Sequence, residues 1–320
     1  RNHRDGYKAG ALANGLNTAQ GELIAIFDSD NLPNDDFLNH TVEFFNDKDI
    51  GMVQTRWSFL NRNESFLCRA QALFLDAHFI IEQNARYFGN LLFNFNGTAG
   101  IWRKKAIEDA GGWQHDTLTE DLDLSLRAQL AGWKFIYDSS YTVPTELPNR
   151  LSAFKSQQYR WSKGAVETAV KLLKTIFRSG FTTKVKIASL MHLTSKFIAP
   201  ILLLLTILLI PALYYRLESG MFKILLVDLP LFIVGTGSMS LFYALTFTQT
   251  VTTNRLKSLF ILPSLTSLGI ALAVINSKAV FSALLHRKTE FVRTPKSGST
   301  DFNKRHIPKS YLTKINKTLS

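Results

Sequence analysis

Two long uncharged stretches limit what this chain can fold into. Phe197 to Tyr215 is 19 residues without a charge, and Ile224 to Phe247 is 24 residues carrying only Asp228. Helices of that length cross the hydrocarbon core of a bilayer, and within lipid a helix satisfies its own backbone polar groups. Pro200, Pro211 and Pro230 are tolerated in or near such helices. Asp228 sits near one end of its run, within reach of the interface. Residues 190–250 are therefore expected to hold two transmembrane helices.

Leu256 to Leu285 is apolar too, but Ser264, Thr266, Ser267, Asn276, Ser277 and Lys278 interrupt it. Charge decides its place. Asn149 to Leu190 carries nine Lys/Arg against one acidic residue, and His286 to Ser320 carries nine against two. The whole chain has a net charge of +12, so everything outside those two segments is slightly acidic. Basic flanks of this kind belong on the cytoplasmic side, next to anionic lipid. Two spans return the chain to the cytoplasm at Arg255 and Lys257; a third would leave the basic segment outside. The 256–287 segment is thus expected to be an interface helix, with Leu268 to Leu285 lying in the interface. No nucleic-acid-binding motif accompanies the charge, so no nucleic-acid partner is expected. Cys68 is the only cysteine, which excludes an internal disulfide and a thiolate zinc site. It is expected to pack as a small hydrophobe.

Residues 1–150 read as an α/β domain. Tyr7 to Gln20 has apolar residues at helical spacing and stops at Gly21. Leu23 to Phe27 is a continuous apolar run, as in a strand buried on both faces. Asp35 to Asn46 reads as a helix and Ile50 to Gln54 as a strand. Phe66 to Arg86 is a long amphipathic helix, either packed in the core or lying on the membrane surface. Leu118 to Leu130 is a helix ended by Gly132, and Trp133 to Tyr137 a strand. Such alternation argues for a mostly parallel sheet with ligands at the carboxyl ends of its strands. Residues 151–185 form a basic amphipathic helix.

Three polar motifs carry the chemistry. Asp28 and Asp30, in an extended strand end, would point to the same side and suit Mg²⁺ or Mn²⁺ shared with a diphosphate. A solvated polar turn is the alternative. Thr119-Glu120-Asp121 opens a helix, where Thr119 suits a cap and the macrodipole favours an ionised Asp121. An ionised, exposed Asp121 would also serve as a base toward a sugar hydroxyl. Gln157, Arg160 and Trp161 share one helical face, offering an amide, a guanidinium for phosphate and an indole for a sugar ring. An interfacial Trp-Arg anchor has the same composition.

Several longer strings accompany these motifs. They are Gly6-Tyr7-Lys8-Ala9-Gly10-Ala11-Leu12, Val53-Gln54-Thr55-Arg56-Trp57, Phe95-Asn96-Gly97-Thr98-Ala99-Gly100, Ala110-Gly111-Gly112-Trp113, Glu146-Leu147-Pro148 and Glu290-Phe291-Val292-Arg293-Thr294-Pro295-Lys296. With them the chain resembles, along nearly its whole length, a family-2 glycosyltransferase of the cellulose synthase superfamily, closest to the cellulose-synthase-like mannan and glucan synthase branch. The resemblance implies an α/β GT-A (Rossmann-like) glycosyltransferase domain followed by α-helical membrane segments. It implies a divalent metal at Asp28 and Asp30, and Asp121 as general base with Glu120 beside it. Lys8, Asp28, Gln157 and Arg160 would then bind the nucleotide diphosphate. Trp161, Asn96, Gly97 and Thr98 would face the acceptor. Phe291, Thr294 and Lys296 match a gating loop, placing 288–320 in the cytoplasm as a basic gating-loop-like segment. The family begins its catalytic domain with a nucleotide-recognising strand, which is not found here, and continues past the gating loop. The chain is read as a piece of a longer protein.

The function expected from the resemblance is inverting, metal-dependent transfer of a hexose from a nucleotide sugar, UDP-glucose or GDP-mannose, onto a growing β-linked glycan. Processive synthesis with membrane translocation leads; transfer of one sugar to a lipid acceptor, or a non-catalytic membrane scaffold or channel component, are the alternatives. Membrane lipids are expected partners. The expected location is an integral membrane protein with a cytoplasmic catalytic domain, in a bacterial inner membrane or a eukaryotic Golgi or plasma membrane.

Overall fold

The computed structural model describes residues 5–218, 225–250 and 262–287. The helix α1 (Tyr7–Thr18) leads into strand β1 (Leu23–Ile26), then α2 (Phe37–Val42) and β2 (Ile50–Phe59). The long helical stretch that follows has three parts: α3 (Phe66–Ala77), a π turn (His78–Gln83) and α4 (Asn84–Phe88). Strand β3 (Gly100–Arg103), α5 (Lys104–Asp109), α6 (Glu120–Leu130) and β4 (Lys134–Thr145) complete the α/β part. Gly132, at φ +98°, ends the turn after α6 in the left-handed region that favours glycine.

The sheet order is β1-β3-β2-β4. β3 runs antiparallel to both neighbours, and only the β2–β4 pair is parallel. The expected mostly parallel sheet is thus a mixed one, because the short β3 inserts in reverse between β1 and β2. β1 is the edge strand among the described residues, so Ala25 is exposed and the expected burial on both faces does not occur. The reversal matters for function. It sets the start of β3 beside the end of β1, Ile26 opposite Gly100, so the loop before β3 meets the turn after β1.

The sheet packs on a core of Met52, Phe79, Phe95, Trp102, Ile107, Leu124 and Phe135. Trp102 is fully buried, with Phe95, Trp113 and Phe135 set edge-on to its ring. Each large side chain buried in this way contributes about 1.5–3 kcal/mol. Cys68 is 0% exposed among apolar neighbours, as a small hydrophobe.

Helix α7 (Leu151–Arg178) carries the Gln157-to-Trp161 motif, and α8 (Thr183–Thr194) leads toward the apolar helices α9 (Ile198–Glu218), α10 (Leu225–Thr250) and α11 (Leu262–Leu284). Leu122 and Leu126 of α6 pack against Ala165, Ala169, Leu172 and Ile176 of α7. Among the described residues three stretches are long and apolar enough to cross a bilayer: Thr183–Glu218, Asp228–Thr250 and Ser267–Leu284. The third is the segment expected in the interface; its length and composition also permit crossing. Arg216 of α9 forms an ion pair with Asp228 of α10, so the one acid in that run is matched by a cation. The Phe66-to-Arg86 stretch touches both environments. Cys68, Ala72 and Leu75 join a cluster of the α/β part, while Ala70, Leu73 and Ala77 join Tyr243, Phe247 and Leu265 of the apolar helices.

Candidate active site

Three chain segments converge at the end of β1. The Lys8 Nζ, from α1, donates to Asp28 Oδ1 at 2.7 Å and to the Gly97 carbonyl at 2.7 Å. The Asp28 amide donates to Thr98 Oγ1 at 2.8 Å, and that hydroxyl donates to Asn31 Oδ1 at 2.8 Å. A backbone bond from the Ala99 amide to the Ile26 carbonyl, 3.0 Å, zips the loop onto the strand end. Gly97 sits at φ +82°, and a Cβ there would lie 2.9 Å from Asp121 Oδ2 and 3.5 Å from Lys8 Nζ. The missing side chain is therefore what lets Lys8, Asp28 and Asp121 surround one small space.

Asp121 arrives from the other side, on the first turn of α6. Helix α7 holds that turn at several points. Glu167 Oε2 accepts from the Leu118 amide at 2.9 Å, and the Thr119 and Thr168 hydroxyls are 3.4 Å apart. Lys171 Nζ lies 2.8 Å from both Asp116 and the fully buried Asp123, which also accepts from Arg127 at 2.7 Å. Gly164 makes the approach possible, since a Cβ there would fall 2.6 Å from the Thr119 side chain and 2.7 Å from its backbone nitrogen. Sequence reasoning missed Gly164, Glu167, Thr168 and Lys171. Their one signal was a glycine three residues past Trp161 on a helix whose next turns carry paired charges.

The electrostatics differ from expectation in one respect. Thr119 makes no side-chain cap hydrogen bond, and Asp121 is raised rather than held in the ordinary carboxylate range. Burial and the adjacent Glu120 carboxylate push Asp121 up to about 7, against Lys8 and the amides of Leu122 and Asp121. Leu122 donates to Asp121 Oδ1 at 2.8 Å. Burial pulls Lys8 down, but Asp28, Glu120 and Asp121 together raise it above its ordinary value. Burial lowers Arg160, on α7, and the same three carboxylates oppose that shift. Gln157 and Trp161 lie half-buried on that helix.

Asp28 and Asp30 do not share the strand-end geometry expected of them. β1 ends at Ile26, and the chain turns with the Asn31 amide on the Asp28 carbonyl at 3.0 Å. Asp30 Oδ2 accepts from Thr145 Oγ1 at 2.7 Å and from the Glu146 amide at 3.4 Å. Among the described residues no three His, Cys, Asp or Glu side chains cluster as a full metal cage. A half-exposed carboxylate at Asp28, with Asp30 two residues on, does fit a hard cation whose other ligands are donor phosphates and water. Phe291, Thr294 and Lys296 lie outside the described residues.

A glycine-shaped loop and a half-buried carboxylate raised toward neutrality, with Lys8 and Arg160 in electrostatic reach, are what the known relatives can be compared with. The sequence profile described as "Glycosyl transferase family group 2" matches residues 23–262. The chain belongs to this family. Lys8 and the three gating-loop residues fall outside the matched range. Among curated proteins, glucomannan 4-beta-mannosyltransferase 1 of Oryza sativa subsp. japonica is 45% identical over 183 residues, 56% of this chain and 35% of the relative. Glucomannan 4-beta-mannosyltransferase 2 of Arabidopsis thaliana is 45% identical over 183 residues, 34% of its length. The chain spans about a third of the length of these relatives. Among solved structures, mannosyltransferase PcManGT from Pyrobaculum calidifontis, in complex with GDP-Man and Mn2+, aligns with 15% identity and a TM-score of 0.44 over 90% of this chain and 68% of that one. As in the sequence reading, this is an α/β glycosyltransferase fold followed by apolar helices.

Proposed function

We propose that this family-2 glycosyltransferase domain moves a hexose from a nucleotide sugar onto a β-linked glycan, with inversion, at the cytoplasmic face of a membrane. The observation that carries the reading is the convergence of Asp121, Lys8 and Asp28 around Gly97, with Arg160 of α7 in electrostatic reach of the two aspartates. The named relatives are glucomannan 4-beta-mannosyltransferases, which favours mannose as the sugar moved, so of the two donors GDP-mannose is the one to expect, with a 4-β-linked glucomannan chain as acceptor. The apolar helices favour processive extension along an exit path.

Asp121 accepts the proton of the acceptor hydroxyl, and its position near neutrality suits that task. The acceptor oxygen then bonds to the anomeric carbon as the bond from that carbon to the phosphate oxygen breaks. The electron pair leaves with the nucleoside diphosphate, and the transition state has oxocarbenium character. Lys8 and Arg160 face the negative charge that grows on the leaving group. Arg160 keeps its charge under burial, and its planar fork suits two phosphate oxygens. A divalent cation held by Asp28, with Asp30 nearby, would supply further charge neutralisation at the diphosphate. Gln157 and Trp161 extend the α7 face toward diphosphate and acceptor. Asn96, Gly97 and Thr98 form the wall opposite Asp121, and Glu120 raises the basicity of its neighbour.

Nucleotide release by membranes containing the protein tests this, with UDP-glucose and GDP-mannose in parallel, with and without Mn²⁺ or Mg²⁺. The expected result is metal-dependent release from GDP-mannose with β-linked mannan as product. No release from either donor would overturn it.

A further inference from the structure

A second polar cluster lies behind the loop that carries Gly97. The π turn brings His78 and Glu82 to one side, with His78 Nδ1 2.9 Å from Glu82 Oε2. The other oxygen of Glu82 accepts from Arg86 Nε at 3.2 Å and lies 3.4 Å from His192 Nδ1, on α8. Burial would raise Glu82, yet His78 and His192 together hold its carboxyl far below the ordinary range. Lys196, just beyond α8, adds a further positive charge near it. The opposite nitrogen of His78, Nε2, is 3.3 Å from Asn96 Oδ1, which also accepts from Asn94 Nδ2 at 3.1 Å. Asn96 is the residue before Gly97, and its own Nδ2 is buried with no hydrogen-bond partner among the described residues. A buried donor left open beside the base is placed for an oxygen of the substrate.

We infer that His78 is a positioning residue for the acceptor side of the site, braced by Glu82 and holding the Asn96 carboxamide in one orientation. The inference rests on the glycosyl-transfer reading above. Both ring nitrogens of His78 face oxygens, so the imidazolium satisfies both at once. A neutral ring leaves one of them without a donor. Turning the Asn96 amide over would restore that contact, but it would set Nδ2 against the Asn94 amide and withdraw the free donor from the substrate. Glu82 keeps the ring in register from behind, and His192 ties that carboxylate to the helix leading toward the membrane. Arg86, His192 and Lys196 are the other charges facing this group, from α4, α8 and the turn after it.

The test uses membranes containing the wild type, His78→Phe and His78→Gln, with GDP-mannose as donor and a short β-1,4-mannan oligosaccharide as acceptor. His78→Phe is expected to raise the acceptor KM about tenfold, the worth of one charge-assisted hydrogen bond, with the donor KM within about twofold. His78→Gln keeps an N–H that can donate to Asn96. It should recover most of the loss in acceptor KM and leave the donor KM unchanged. Hydrogen exchange of residues 94–98 should quicken in His78→Phe while α6 stays unchanged, and this readout does not depend on the substrate. Donor and acceptor KM rising together in both variants, or unchanged exchange at 94–98, would overturn the inference. Faster exchange there in a protein that uses neither nucleotide sugar would instead overturn the proposed function and leave His78 its structural role.

Discussion

The two acidic motifs of the site contain the same chemical group and meet opposite surroundings. In Asp28-Ser29-Asp30 each carboxylate has a donor: Lys8 at 2.7 Å for Asp28 and the Thr145 hydroxyl at 2.7 Å for Asp30. In Thr119-Glu120-Asp121 the inner carboxylate is half-buried beside a second acid and is pushed up to about 7. A carboxylate beside a lysine is suited to hold cationic partners; one crowded by burial and like charge is suited to take a proton. Separate environments for two acids are how one site divides its roles. The difference comes from packing: a lysine from α1 reaches the first motif, whereas α7 presses the second against Gly97.

The largest effect that would sharpen this contrast is expected for Asp121→Asn. Turnover should fall about 10³-fold or more, the range for losing a general base, while donor affinity stays within about twofold. Near-normal turnover would remove the distinction between the motifs. Next come the glycines that let the acids meet. Gly97→Ala places a methyl 2.9 Å from Asp121 Oδ2 at φ +82°, and Gly164→Ala places one 2.6 Å from Thr119. Relieving contacts that short shifts the reacting group, and a misplacement of about 1 Å costs on the order of 10² in kcat. Full activity in both would show that Asp121 is not held by these contacts. Asp28→Asn should act on the donor instead, raising its KM roughly tenfold and weakening the metal dependence more than kcat. The smallest effect is on stability. Because the folded protein raises Asp121 from its ordinary value of 3.8 to about 7, ionising it costs the fold free energy above about pH 4, fully so above about pH 7. Asp121→Asn should therefore raise the apparent Tm by a few degrees at pH 8 and have little effect at pH 4.

Much of the fold could be read from local pattern. The apolar runs became α9 and α10, and the periodic stretches became α1 and α6 within two residues of their expected ends, while the helix expected over 151–185 stops at Arg178 and a second begins at Thr183. Strand direction could not be read in this way. The four residues of β3 look alike in either sense, and only the pairing of Ile26 with Gly100 reveals the reversal. Some of the candidate residues were legible as types, since Lys8, Asp28 and Asp121 come together around Gly97. Their geometry was not. Asp30 turns away toward Thr145, 115 residues along the chain, and no spacing within the motif encodes that partner. Gly164 and Lys171 were missed for the same reason, because their importance lies in what they touch on α6 rather than in their neighbours in sequence.

The measurement that bears most directly on the division of roles is the pH dependence of sugar transfer at limiting acceptor concentration and saturating donor. Asp121 is a base only when ionised, so kcat/KM for the acceptor should climb about tenfold per pH unit below a midpoint of about 7 and level off above it. Asp121→Glu, if it retains measurable transfer, should move that midpoint. A rate that stays flat from about pH 5 to 9, or a midpoint untouched by that substitution, would contradict the assignment of Asp121 as the base.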